Sequence, residues 1–127
     1  HAFTGDDSLR AAVEAAGGAD IYAVTEMSHP GGKMFTALHA EEMARLGVEC
    51  GVSGFIAPAT RPERIAAVRQ VIGDLKILSP GVGAQGGKAS DAIRAGADYA
   101  IVGRAIYGSE DPKGAAESFA EDIRTVL

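Results

Sequence analysis

The segment Ser79-Pro-Gly-Val-Gly-Ala-Gln-Gly-Gly87 follows one apolar run, Lys76–Leu78, and the next apolar run, Tyr99–Val102, leads straight into Gly103-Arg104. A glycine-rich loop lets backbone N–H groups approach a ligand, and an arginine adds a planar fork of donors. Loop N–H groups, a helix N-terminus and a guanidinium together suit a phosphate. Such a loop can also do no more than turn the chain, but Arg104 after an apolar strand favours the anion site. A second segment, Thr25-Glu-Met-Ser-His-Pro-Gly31, offers the Ser28 hydroxyl and loop polar groups to a polar heterocycle. His29 could act as a base, yet no acidic residue stands at an obvious spacing to orient it. A Ser–His neighbour pair is no triad, because chain neighbours rarely point at each other. Glu26 reads as an ion-pair partner rather than an acid. In the third segment, Pro58-Ala-Thr-Arg-Pro-Glu-Arg64, a helix start accounts for Thr60, Pro62 and Glu63, and Arg61 is left over for the Gly81–Gly87 loop. Cys50 sits among small residues with nothing to lower its pKa. No His, Asp or Glu cluster has metal-ligand spacing, so no metal is expected.

These segments need elements to hold them. Short apolar runs predict strands at Ile21–Thr25, Phe55–Ala57, Lys76–Leu78 and Tyr99–Val102. Amphipathic stretches predict helices at Ser8–Ala16, Lys33–Leu46, Pro62–Ile72, Ser90–Ala95 and Pro112–Leu127. Asp6, Asp7 or Ser8 is expected to cap the first, Thr60 the third, and Gly17, Gly47, Gly73 and Gly96 to stop the first four. Strands that are apolar throughout, joined by helices, predict a parallel sheet buried on both faces. This is α/β architecture. The polar, glycine-rich loops all follow strands, and the loops before strands are plain. Functional loops at strand C-termini suit both an open doubly wound sheet and a (β/α)₈ barrel. Four strands are half of a barrel. The opening His1-Ala-Phe-Thr-Gly5 reads as the loop leaving a strand that precedes this sequence, so residues 1–127 read as a single partial domain, the second half of a TIM barrel.

Composition narrows the function. Of 127 residues, 17 are Gly, about twice the usual ~7% share. The 46% apolar content is that of a globular chain rather than a disordered one. No apolar run is long enough for a membrane span. A net charge of −5 with no basic run argues against a nucleic-acid partner. One cysteine excludes an internal disulfide and fits a reducing cytoplasm. The first residues are neither basic nor apolar enough for a signal peptide.

With these motifs assembled, the sequence resembles the orotidine 5′-monophosphate decarboxylase family, archaeal type. The matching segments are Thr25–Gly31, Gly54–Arg64, Ser79–Gly87 and Ile101-Val-Gly-Arg-Ala-Ile-Tyr107. The resemblance covers the second half of the family barrel. It implies conversion of orotidine 5′-monophosphate (OMP) to UMP and CO2 without a cofactor, in pyrimidine biosynthesis, by a homodimer. It implies that Ser28 contacts the pyrimidine. It also implies that Pro80, Gly81, Val82, Gly83, Ala84, Gln85, Gly86 and Gly87 form a mobile loop over the substrate. Gln85 would touch the phosphate, and Val82 would pack on the loop at Thr60. Gly103 and Arg104 would bind the phosphate, and Thr60 and Arg61 would support loop closure.

One departure matters. The family's Asp-x-Lys-x-x-Asp set and a further lysine belong to the first half of the barrel. Asp74-Leu-Lys76 is a near match, but Ser79 stands where the second Asp is needed, and Asp111-Pro-Lys113 fails at Ala116. Lys33 and Lys88 open helices, so no proton donor is expected in this chain. Two other readings stay open: a non-catalytic half-barrel that binds a nucleotide phosphate, and a related barrel such as a hexulose-phosphate synthase or 3-keto-gulonate-phosphate decarboxylase. The Gln85 loop favours OMP over the latter.

Overall fold

A computed structural model of the chain describes all 127 residues. Helix α1 (Asp6–Ala15) leads into β1 (Tyr22–Val24), followed by α2 (Ala40–Cys50), β2 (Gly54–Ile56), α3 (Pro62–Ile72), β3 (Lys76–Pro80), α4 (Ala89–Arg94), β4 (Tyr99–Ile101), the short α5 (Arg104–Tyr107) and α6 (Pro112–Arg124). The four strands form one parallel sheet in the order β1-β2-β3-β4. Helical crossovers therefore join neighbouring strands, and the strand order is the chain order, as in one half of a barrel.

The register explains which side chains make the core. Ala23, Phe55 and Ile77 lie in one row across β1, β2 and β3, and each is buried. Gly47 of α2 abuts the Phe55 ring, so this is the helix-covered face. The adjacent row, Val24, Ile56, Leu78 and Tyr99, points the other way. It is half-buried at the first three residues and exposed at Tyr99. The expectation of a sheet buried on both faces thus fails for the second face and for β4, whose Tyr99 and Ile101 are 55% and 44% exposed at the free edge.

Four local expectations are corrected. The helix expected over 33–46 forms only from Ala40 onward, because Pro30–Met34 and Ala37–His39 are 3₁₀ turns. The Thr36 hydroxyl donates to Gly32 O (2.8 Å) and accepts from Met27 N–H (3.2 Å). A side chain that bonds the backbone in this way competes with the helical ladder. Gly47 lies inside α2 and serves close helix–strand packing, whereas Gly51, left-handed at φ 80°, ends the helix. Thr60 does not cap α3, because Arg61 holds the cap position without a side-chain bond. Gly5 likewise precedes α1 in place of an Asp or Ser cap. Asp111 does cap α6, accepting from Gly114 N–H at 3.0 Å.

Candidate functional site

The three chemistry-bearing loops leave β1, β2 and β3 at the same end of the sheet and meet there. Gly81, left-handed at φ 97°, shows how closely. A β-carbon at Gly81 would stand 3.2 Å from Thr60 Cγ2, 3.3 Å from Gln85 Oε1 and 3.3 Å from Ser28 Cβ. Only glycine fits a positive φ with three neighbours this near. The Thr60 hydroxyl donates to Ser28 O at 3.0 Å and ties the first two loops together. Ala59 N–H donates to Pro80 O at 2.8 Å and ties the second to the third. Below them, the buried Ser79 hydroxyl donates to Ala57 O at 2.8 Å.

A cleft of about 370 Å³ opens at this junction, lined by Ser28, His29, Pro30, Lys33, Thr60, Arg61, Gln85 and Arg104. A neighbouring cleft of about 220 Å³ shares Gln85 and Arg104 and adds Pro80, Gly81, Val82, Gly103 and Tyr107. Every segment singled out from the sequence is represented. Lys33 was missed. It was expected to open a helix, but the 3₁₀ turn Pro30–Met34 brings it to the cleft wall. The signal was present in Pro30-Gly-Gly32, which cannot start an ordinary α-helix cheaply.

The charges at the cleft differ in how they are held. Arg61 donates from Nε to Glu26 Oε1 at 2.6 Å and from a terminal nitrogen to Met27 O. Its Nε and one terminal nitrogen are thus engaged by the β1 loop, and its other terminal nitrogen is not. Glu26 is fully buried and also binds Arg64 Nε at 2.8 Å, so its reading as an ion-pair partner holds. Arg64 in turn grips Glu41 with both terminal nitrogens, at 3.1 and 2.7 Å. That bond holds the Glu41 carboxyl below its ordinary value, against the opposing effect of burial. Glu41 first, and Glu26 after it, push Arg64 above the usual arginine value. The Lys33 and Arg104 side chains, by contrast, enter no intramolecular ion pair or hydrogen bond. In a chain of net charge −5, they make the cleft locally positive.

The glycine loop is folded on itself. Gly83 N–H donates to Gly87 O (2.8 Å), Gly86 N–H to Gly83 O (2.8 Å) and Gly87 N–H to Gly81 O (3.0 Å). Three N–H groups expected to be offered to an anion are therefore engaged within the loop. The first N–H groups of α5, at Arg104 and Ala105, start a helix and lack helical acceptors. Gly83 packs against Ala105 and Phe119, where any side chain would collide. The unengaged Lys33 and Arg104 side chains give this junction the charge to hold an anion.

Comparison with known proteins decides the family. Residues 1–119 match the model of the orotidine 5′-phosphate decarboxylase / HUMPS family. The chain belongs to this family. Orotidine 5′-phosphate decarboxylases of Methanosarcina mazei and Thermococcus kodakarensis are 58% and 52% identical to it, over 98% and 100% of the chain. The crystal structure of the Methanocaldococcus jannaschii decarboxylase complexed with the inhibitor BMP superposes with a TM-score of 0.90 at 38% identity over 97% of the chain. The chain spans 58% to 59% of the length of these relatives. Four parallel strands with helical crossovers are the half of the barrel that the resemblance implied.

Proposed function

We propose that residues 1–127 form the substrate-holding half of an orotidine 5′-phosphate decarboxylase. The observation that carries this is the convergence of the Ser28, Thr60 and glycine loops on one cleft beside an unengaged Arg104. Arg104 and the backbone at Gly103 grip the 5′-phosphate, and Gln85 reaches it from the loop Pro80–Gly87. Val82 and the remaining loop residues close over the ligand. Ser28 reads the pyrimidine edge. Thr60 and Arg61 fix the loop against which closure occurs. Closure excludes water and makes phosphate binding energy available at the reacting carbon.

In the reaction the bond between C6 and the carboxylate breaks, CO2 leaves and C6 takes a proton. The lysine and aspartates of the Asp-x-Lys-x-x-Asp set lie outside residues 1–127 in this reading, since neither near match in the sequence completes the pattern. A homodimeric, cytoplasmic enzyme without cofactor or metal completes it. The test follows UMP formation from OMP, by a complete polypeptide that contains residues 1–127 and by residues 1–127 alone. Turnover by the complete polypeptide only is expected. Residues 1–127 alone, with two free sheet edges and a half-covered face, should associate or aggregate. Robust turnover by residues 1–127 alone would overturn the placement of the proton donor, and no turnover by the complete polypeptide would overturn the function.

A further inference from the structure

Glu26 is the only carboxylate in the chain that is fully buried, and it sits two residues beyond the end of β1, beneath the cleft. Each of its oxygens holds a different guanidinium: Arg61 Nε at 2.6 Å and Arg64 Nε at 2.8 Å. Arg61 continues to Met27 O, one residue before Ser28. Arg64 continues to Glu41 at 2.7 Å and to Ala37 O at 3.1 Å, in the segment that follows Lys33. Through two arginines, one carboxylate thus joins the Ser28 loop, the start of α3, the turn Ala37–His39 and the first turn of α2. The four charges balance, two against two, so the network presents no net charge to a ligand. Arg61 lines the cleft, but its position is set by Glu26 and its charge is already matched.

We propose that Glu26 is a positioning residue for the substrate site: through Arg61 and Arg64 it sets where the Ser28 loop and the Arg61 side chain stand, and so aligns the pyrimidine end of the cleft with the phosphate end. The proposal rests on the substrate reading above and deepens it. A buried carboxylate that only held the fold together would have no reason to contact the cleft lining itself. Glu26 contacts Arg61 directly and reaches Ser28 through the Met27 carbonyl. Removing its charge leaves two partly buried guanidinium groups with a lost partner. The loops they hold then shift, and misplacement of about 1 Å at a binding loop can cost up to about a hundredfold.

The experiment uses the complete polypeptide with Glu26→Gln, Arg61→Lys and Arg104→Ala. UMP and uridine are the probes, measured by calorimetric titration and referred to the folded fraction. Amide hydrogen exchange is recorded over 27–30 and 60–64 without ligand. Glu26→Gln is expected to weaken UMP and uridine together, by about tenfold or more, and to speed exchange in both segments. Arg61→Lys should do the same, because lysine keeps the charge but cannot hold Glu26 and Met27 O with one rigid fork. Arg104→Ala should weaken UMP alone. Undiminished affinity in Glu26→Gln, with only a lower melting temperature, would show a structural role and overturn the proposal. Normal binding by Arg61→Lys would show that charge and not position matters, and would overturn it too. Failure of the wild-type protein to bind UMP would overturn the substrate reading on which it rests.

Discussion

Arg69 and Arg104 stand at opposite ends of the sheet and are used in opposite ways. At the end where the strands begin, Arg69 of α3 donates to Gly96 O (3.0 and 2.7 Å), Gly73 O (2.6 Å) and Leu75 O (2.6 Å), and to the Asp98 carboxylate at 2.6 Å. Asp98 also accepts from Ile77 N–H at 2.8 Å and faces Lys76 at 3.6 Å. The plain turns before β3 and β4 are closed by one side chain whose donors are all satisfied within the protein. At the end where the strands finish, Arg104 and Lys33 line clefts and have no such partners. Like charges held near each other without acceptors do not stabilise a fold. Conflicts of this kind between local rules and stability concentrate at functional sites. The difference fits the proposed division, in which one end holds the sheet and the other a ligand.

The largest break in this comparison comes from Arg104→Ala. Two charge-assisted hydrogen bonds to a phosphate are worth roughly 1.5–3 kcal/mol each, so KM for OMP should rise about a hundredfold or more. The melting temperature should stay the same, because no protein group loses a partner. Turnover of the phosphate-free nucleoside should also stay the same. Steady-state kinetics on both substrates checks this, and equal losses on the two would remove the phosphate assignment.

Arg69→Ala is the mirror experiment, with an effect nearly as large. It strips three carbonyls and a partly buried carboxylate of their donor, at a cost of about 2–3 kcal/mol in stability. Denaturant unfolding should show the loss, while KM of the folded enzyme should not change. A variant with normal stability and impaired KM would mean that the two ends are not separate in function.

The same division explains what could be read before the fold was known. The strand positions, and α3 at Pro62–Ile72, follow from apolar runs, Pro62 and Gly73, which are local signals. The proposed ligand end stands out in the sequence because its glycine loop and Arg104 each follow an apolar strand. Lys33 is only partly legible: Pro30-Gly-Gly32 argues against an α-helix there, but the place of Lys33 depends on Thr36 folding back on Gly32 and Met27, a contact that no helical periodicity encodes. The Arg69 clamp was hidden for another reason: apart from Asp98, its acceptors are backbone carbonyls, which leave no trace in residue types. The double use of Glu26 depends on two arginines, Arg61 and Arg64, brought under β1 by the crossover from β2. The sequence shows their proximity to each other but not to Glu26.

A smaller effect tests the loop. Gln85 Oε1 lies at the meeting of the Ser28, Thr60 and Gly81 segments. On the proposed phosphate role of Gln85, Gln85→Ala removes one neutral hydrogen bond, worth about 1 kcal/mol, so kcat/KM should fall roughly fivefold and UMP should bind more weakly in step. Stability should not change, as expected for the ligand end. If kinetics and binding both match the wild type, the loop does not grip the phosphate.

The smallest effect separates the two ends by pH. Burial alone would raise the Asp98 carboxyl, but the Ile77 N–H bond, the Arg69 bond and the charges of Arg69 and Lys76 outweigh it and hold it below its ordinary value. A carboxyl whose pKa is lower folded than unfolded binds its proton more readily in the unfolded chain. Its contribution to stability is therefore fully present above the unfolded value of about 3.9, and is lost as pH falls through the lower folded value. Stability at the strand-start end should be flat from neutral pH to about pH 5 and decline below about pH 4. Asp98→Asn keeps an acceptor for Ile77 N–H but carries no charge for Arg69. It should lower stability near neutral pH and make the acid decline shallower. Glu41, held low by Arg64, and Asp122, held low by the Ser90 N–H bond, shift in the same direction and supply the slope that remains. Unfolding midpoints in urea between pH 3 and 7 measure this. An acid slope identical in Asp98→Asn and wild type would mean that Asp98 is not the acid-sensitive element of the clamp, and that the strand-start end is held by the backbone bonds of Arg69 alone.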